Sequence, residues 1–228
     1  MGPLRFATNG SELVALWVGA EAPLWERHVF ASRLNGDGGW SMEMLDPNMR
    51  TQHAVSTVSG VLSPDGGLLA AWRAAGGVVF SSWNGQLTSI DAGSADAFPA
   101  VVAFASGLPV VAWPDPPGAF MAWHSSMTPL QLTGPTWWQN FVLNLRLWER
   151  DDGRVSALWS FDGVTEIAVA DGTGSSLVGR VEGIFNRANE RFTMVRTPGG
   201  VVWLGGISTG TGFTPSPESG DLAAVHCP

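Results

Sequence analysis

Two neighbouring indoles, Trp137 and Trp138, followed at once by the amides Gln139 and Asn140, are the residues best suited to ligand chemistry in this chain. In an extended segment adjacent side chains point to opposite sides, so one ring can pack inward while the other presents a flat apolar face. A sugar offers a matching apolar face ringed by hydroxyls, and flanking amides supply donors and acceptors for them. Trp25 with Glu26 and Arg27 repeats the combination of an indole with polar groups. His53 and Asn189 stand at the ends of polar linkers, just ahead of apolar segments. The expected ligand-binding set is therefore Trp137, Trp138, Gln139, Asn140, His53, Trp25, Arg27 and Asn189. The competing role for these tryptophans is packing, because a large indole also fills gaps between sheets.

A catalytic reading asks for different groups. Glycoside hydrolysis takes two carboxyl groups about 5–9.5 Å apart, one of them with its pKa raised by burial. Asp96, Asp162 and Glu190 are the candidates, on separate polar segments. The four histidines, His28, His53, His124 and His226, are scattered without ligand spacing, and Cys227 is the one thiol. A metal site and an internal disulfide are not indicated. No Gly-x-Ser-x-Gly elbow and no phosphate-cradling loop occurs, and no cofactor is expected.

The 228 residues carry 12 arginines, no lysine and 20 acidic side chains, a net charge of −8. Such a chain lacks the basic footprint that phosphate neutralisation needs, so nucleic acid is not an expected partner, and an anionic membrane surface is disfavoured for the same reason. No apolar run approaches the roughly 18 residues of a membrane-spanning helix, so no membrane insertion is expected. The opening ten residues lack an apolar signal core, which leaves the cytoplasm or a leader already removed. With 29 Gly, 15 Pro, 12 Trp and no Tyr, the composition is that of a turn-dense β protein.

Repetition supplies the elements that must position these residues. Leu13-Val-Ala-Leu-Trp17, Leu68-Leu-Ala-Ala-Trp72, Pro109-Val-Val-Ala-Trp113, Val155-Ser-Ala-Leu-Trp159 and Gly200-Val-Val-Trp203 are one pattern, with tryptophans 55, 41, 46 and 44 residues apart. Each follows a turn of strong turn-formers, such as Asn9-Gly10-Ser11 or Asp151-Asp152-Gly153. A strand precedes every turn, so each unit opens with a hairpin. Third strands are expected at 28–34, 78–83, 120–125 and 165–170, and fourth strands at 40–45, 86–90, 129–132 and 176–181. In the last unit weak outer strands are expected near 211–214 and 222–227. Four strands at a period of about 40–45 residues predict an all-β, five-bladed β-propeller of four-stranded antiparallel blades. It forms a single domain with blades at about 3–46, 54–91, 98–133, 140–183 and 191–228. The second strands are expected to be buried on both faces and the third strands to alternate, with one face in solvent.

After the apolar hairpin ending Ala-x-Trp, the first unit continues through Phe30-Ala-Ser-Arg33 to Asn35-Gly-Asp-Gly-Gly-Trp40. This combination resembles the bacterial β-propeller repeat proteins of the Asp-box or BNR (sialidase-like) type. Their repeats place a Ser/Asn-x-Asp-x-Gly-x-x-Trp turn between the third and fourth strands. Asp37 and Trp40 take the matching positions, at a spacing one residue shorter. The second unit keeps Ser82-Trp-Asn-Gly85 there and the fourth keeps Ala170-Asp-Gly172. The resemblance implies that Asp37 closes a structural turn on the face opposite the ligand. It does not carry sialidase activity with it, because that chemistry uses a tyrosine nucleophile and the chain has no tyrosine.

In a propeller, the loops after second strands and the linkers from fourth strands to the next blade share one end of the ring. His53, Asp96, Gln139, Asn140, Asn189 and Glu190 then fall around the mouth of the central channel, where converging polar groups bind ligands. The expected function is a non-catalytic recognition module that binds a glycan or a protein surface. The alternatives are a glycoside hydrolase using two of Asp96, Asp162 and Glu190, and a purely structural interaction ring. If the last blade lacks outer strands, its exposed edge makes a homodimer the expected partner arrangement.

Overall fold

The computed structural model describes residues 4–21, 26–47, 58–74, 77–91, 100–115, 118–126, 128–132, 143–161, 164–171, 173–182, 191–196, 201–207 and 220–226. These residues are all β. The first sheet comprises β1 (Arg5–Thr8), β2 (Leu13–Glu21), β3 (Glu26–Leu34) and β4 (Trp40–Met44). The second comprises β5 (Val58–Leu62), β6 (Leu68–Arg73), β7 (Val78–Trp83) and β8 (Gln86–Asp91). The third holds β9 (Val101–Ala105), β10 (Leu108–Asp115), β11 (Gly118–Trp123) and β12 (Leu130–Gln131). The fourth holds β13 (Leu143–Glu149), β14 (Val155–Phe161), β15 (Val164–Ala170) and β16 (Ser175–Glu182). In each of these sheets the strands lie in chain order and every pairing is antiparallel.

The final part departs from expectation. β17 (Arg191–Arg196), β18 (Val201–Ile207) and β19 (Gly220–His226) form a three-stranded sheet. β19 pairs directly with β18, from Val201 opposite His226 to Ile207 opposite Gly220, so the segment expected as a fourth strand takes the third place. The stretch 208–219, STGTGFTPSPES, is dense in Gly, Pro and Ser and has no alternating run of β-formers to hold a strand ahead of it. Its expected strand at 211–214 lies outside the described residues.

The turns are closed by their own side chains. Asn9 Oδ1 accepts the backbone N–H groups of Ser11 and Glu12 at 3.1 and 2.9 Å, while Asp152 Oδ1 accepts that of Arg154 at 3.1 Å. Gly10, Gly66, Gly107 and Gly153 supply the positive φ that these first hairpins need. Neighbouring hairpins are tied together by Asn9 Nδ2 donating to the Ser63 carbonyl and Ser106 Oγ to the Gly153 carbonyl. The tight turns of successive sheets thus share one end of the molecule.

First strands meet in succession, β1 on β5, β5 on β9 and β9 on β13. Three apolar clusters fill the gaps between sheets, one of them joining Val14, Leu16 and Val29 to Leu62, Ala70 and Trp72. Every residue of β6 is buried, as expected of a second strand covered on both faces. The expectation of a half-solvated third strand is overturned. Residues 166–170 of β15 are all buried and no residue of β7 is exposed. Solvent instead meets the fourth strands, such as β4 and β8, because a third strand is still flanked by the neighbouring sheets. Trp72, Trp113 and Trp159 are fully buried, so the recurring indole is core at these places; Trp17 is half-buried.

Candidate functional site

Opposite the tight hairpins lies the end where second strands finish, third strands begin and fourth strands leave for the next sheet. Of the expected ligand-binding residues, only Arg27 belongs to the described part: it is exposed on β3, opposite Ala20. Trp25, His53, Trp137, Trp138, Gln139, Asn140 and Asn189 lie outside the described residues, as do the candidate carboxylates Asp96, Asp162 and Glu190. What the structure defines are the stems from which these segments spring.

Those stems are tied by buried polar groups. In the first sheet, His28 Nδ1 stands 3.3 Å from Asp46 Oδ1, and the same oxygen accepts the Val29 N–H at 3.1 Å. Both side chains are buried, and the Phe30 ring meets the imidazole edge-on. This pair joins the stem of the 22–25 loop, with Trp25, to the start of the linker that leads to His53. Burial pushes the Asp46 carboxyl above its ordinary pKa, against the opposing pull of the Val29 N–H and of His28. A carboxylate on Nδ1 fixes the tautomer of an imidazole, an arrangement that suits proton transfer where a substrate can reach the ring.

Between the second and third sheets, buried Arg73 donates from Nη1 to the Pro114 carbonyl at 2.8 Å, with Nη2 3.7 Å from Asp115 Oδ1. It joins the stems of the loops after β6 and β10. In the fourth sheet, Trp159 Nε1 donates to Glu166 Oε2 at 3.2 Å, inside the protein, beside the short loop that contains Asp162. The equivalent cross-strand pairs elsewhere are aromatic stacks: Trp17 on Phe30, Trp72 on Phe80 and Trp113 on Phe120. Glu166 therefore stands where three sheets carry phenylalanine.

None of these buried ionisable groups was expected as a site residue. Aligning the repeats shows the signal that could have found them, namely a charge at a position that is apolar in the sister units. Arg73 replaces Val18, Pro114 and Ser160 after the recurring tryptophan, and His28 replaces Val78, Gly118 and Val164. Among the described residues, no group of three or more His, Cys, Asp or Glu could hold a metal ion.

At the hairpin end, Asp37 Oδ1 accepts the Gly39 N–H at 2.9 Å in an exposed turn, so its role there is local closure. Asp171 does the same for Thr173 and Gly174 between β15 and β16. A groove of about 270 Å³ opens near this end against the outer half of the first sheet, lined by Val14, Ala31, Arg33, Ser41, Met42 and Glu43. Its arginine is already engaged by Glu12 and by the Gly66 carbonyl, which leaves it little to offer a ligand.

No protein-family model matches the chain, and no curated protein matches it. Solved structures do. Polysaccharide lyase Uly1 superposes with a TM-score of 0.52 at 8% identity, over 98% of this chain and 57% of that one. A luciferin-regenerating enzyme gives a TM-score of 0.46 at 11% identity, over 89% of this chain and 68% of that one. A subtype N11 neuraminidase-like protein of A/flat-faced bat/Peru gives 0.46 at 11%, over 98% and 74%. The likeness to the lyase, a propeller protein, concerns fold alone, and the chain spans little more than half of that protein's length.

Proposed function

We propose that the chain is one five-bladed β-propeller domain, with blades at about 3–46, 54–91, 98–133, 140–183 and 191–228. In this reading it works as a non-catalytic recognition module, and a glycan is its favoured target over a protein surface. The carrying observation is the cross-tying of the stems by His28–Asp46 and by Arg73 with Pro114 and Asp115. Loops held at their bases lose little entropy on binding, which lets a modest aromatic and amide patch be specific. Trp138 or Trp137 then stacks on a sugar face while Gln139 and Asn140 bond its hydroxyls, with Trp25, Arg27, His53 and Asn189 completing the rim.

Closure of the ring is supported by an apolar face that otherwise meets water. Leu4, Phe6, Leu34, Trp40 and Met42 are exposed, and those within strands share the face of the first sheet turned away from the second. A last blade of β17–β19 seated there would cover its inner part.

A glycan array probed with wild type and Trp138→Ala tests the function. Binding that disappears in the variant while its far-ultraviolet spectrum is unchanged is the expected result. Silence of the wild type on the array and in a pull-down overturns the reading, and hydrolysis of chromogenic glycosides that is lost on Asp96→Asn or Glu190→Gln would favour the hydrolase instead.

A further inference from the structure

The first strands carry a charge distribution opposite to that of the whole chain. Of 12 arginines and 20 acidic residues in a chain of net charge −8, β1, β5, β9, β13 and β17 hold Arg5, Arg146, Arg191 and Arg196 against a single carboxylate, Glu149. Glu149 ends β13, next to the tight turn. The rest of β5 and β9 is apolar or small, VSGVL and VVAFA.

Two of these arginines differ from the others described. Arg33 is held by Glu12, Arg73 approaches Asp115, and Arg150 and Arg154 share Asp152. Arg5 and Arg146 face no carboxylate among the described residues. Arg146 donates from Nη1 only to the carbonyl of its own neighbour, Leu145, at 3.0 Å. The succession of contacts from β1 to β5, β9 and β13 puts both residues on the inner strands of a curving array. They lie within electrostatic reach of each other, and burial together with the charge of Arg5 pulls the Arg146 pKa below the ordinary guanidinium value. Two like charges brought together with little water and no counter-charge are costly to the folded chain. An anion between them removes that cost, and guanidinium forks match the paired oxygens of carboxylate, sulfate and phosphate groups.

We propose that Arg5 and Arg146 form an axial binding site for a single oxyanion group, a carboxylate, sulfate or phosphate. The site is built on strands and stands whether or not the rim loops bind a glycan.

The test is thermal unfolding and calorimetric titration with sodium acetate, glucuronate, sulfate and phosphate, each against sodium chloride at matched ionic strength. Wild type is expected to show a saturable rise in melting temperature with at least one oxyanion that chloride does not reproduce. Carboxylates alone, or the tetrahedral ions alone, then identify the group the site takes. Arg5→Gln, an exposed change that leaves folding intact, is expected to weaken that affinity at least tenfold, and Arg146→Gln to do likewise. Without ligand, Arg146→Gln should melt no lower than wild type, since it removes an uncompensated charge. No saturable response to any of the four anions, or an affinity unchanged in both variants, overturns the proposal.

Discussion

Placing a methyl group on Gly60 tests whether the first two sheets interdigitate as described. Gly60 lies in β5 opposite Ala70, and a Cβ there would overlap Leu16 Cδ1 and come within 3.3 Å of the Leu69 carbonyl oxygen. Leu16 is wholly buried in the cluster with Val58, Leu62, Ala70 and Trp72, so it has no solvent into which to swing. Overfilling a packed core costs roughly 1–3 kcal/mol. At this chain length each kcal/mol lowers the melting temperature by about 2–4 °C, so Gly60→Ala should melt about 2–12 °C lower. Leu16→Ala alone should cost about 2–5 kcal/mol, as a buried truncation that leaves a cavity. Combined, the new methyl fills part of the vacated space. The double variant should then be more stable than the sum of the two losses by at least about 0.5 kcal/mol, the lower bound for residues in contact. Denaturant unfolding followed by tryptophan fluorescence measures all four proteins. A Gly60→Ala variant as stable as wild type, or strict additivity in the double variant, would refute the packing.

The pH dependence of unfolding has two separable sources. His124 is buried with Nδ1 2.7 Å from Ser81 Oγ and 3.2 Å from Thr88 Oγ1, and burial lowers its pKa. The folded chain therefore binds fewer protons than the unfolded one just below pH 6.5, and stability should fall as the pH drops through that window. His124→Gln should flatten this slope in melting curves taken between pH 7 and 5. Asp46 behaves oppositely, because its folded pKa is raised. Its linked stability is full below about pH 3.8 and is lost as pH rises through the folded pKa, so Asp46→Asn should lose no stability at pH 7 and should remove that gain on acidification. Trp72 Nε1 is buried without a partner whereas Trp159 Nε1 bonds Glu166. Trp159→Phe should accordingly cost about 1–2 kcal/mol more than Trp72→Phe by chemical denaturation, the range for a hydrogen bond to a charged acceptor. β19 is the last strand of its sheet among the described residues, and sedimentation at rising concentration should reveal a dimer through that edge; a strict monomer would remove it as a partner surface.

The repeat was legible because its parts are local. Glycine and asparagine at hairpins such as 9–11 and 151–153 fix turns, and the recurring tryptophan marks each second strand, so sixteen strands of the first four sheets fall where the pattern puts them. The last sheet misled because β19 has the same β-forming composition whichever place it takes in the sheet. Pairing with β18 is a tertiary fact that no local pattern in 220–226 encodes. The same limit explains the site. Trp137 and Trp138 can be noticed as an unusual pair, but the partners that tie the loop stems lie far apart in sequence. His28 meets Asp46 across 18 residues and Arg73 meets Pro114 across 41. Only a comparison of equivalent positions, with Glu166 standing where Phe30, Phe80 and Phe120 stand, would have singled these residues out beforehand.

A crystal structure read for the surroundings of Phe6 and Trp17 bears most directly on the account. Five sheets about one axis, with β17–β19 laid over Phe6 and Trp17 and with Arg5 and Arg146 facing each other inside, is the predicted result. An open arc that leaves Phe6 in solvent, or two layers packed as a sandwich, would contradict it.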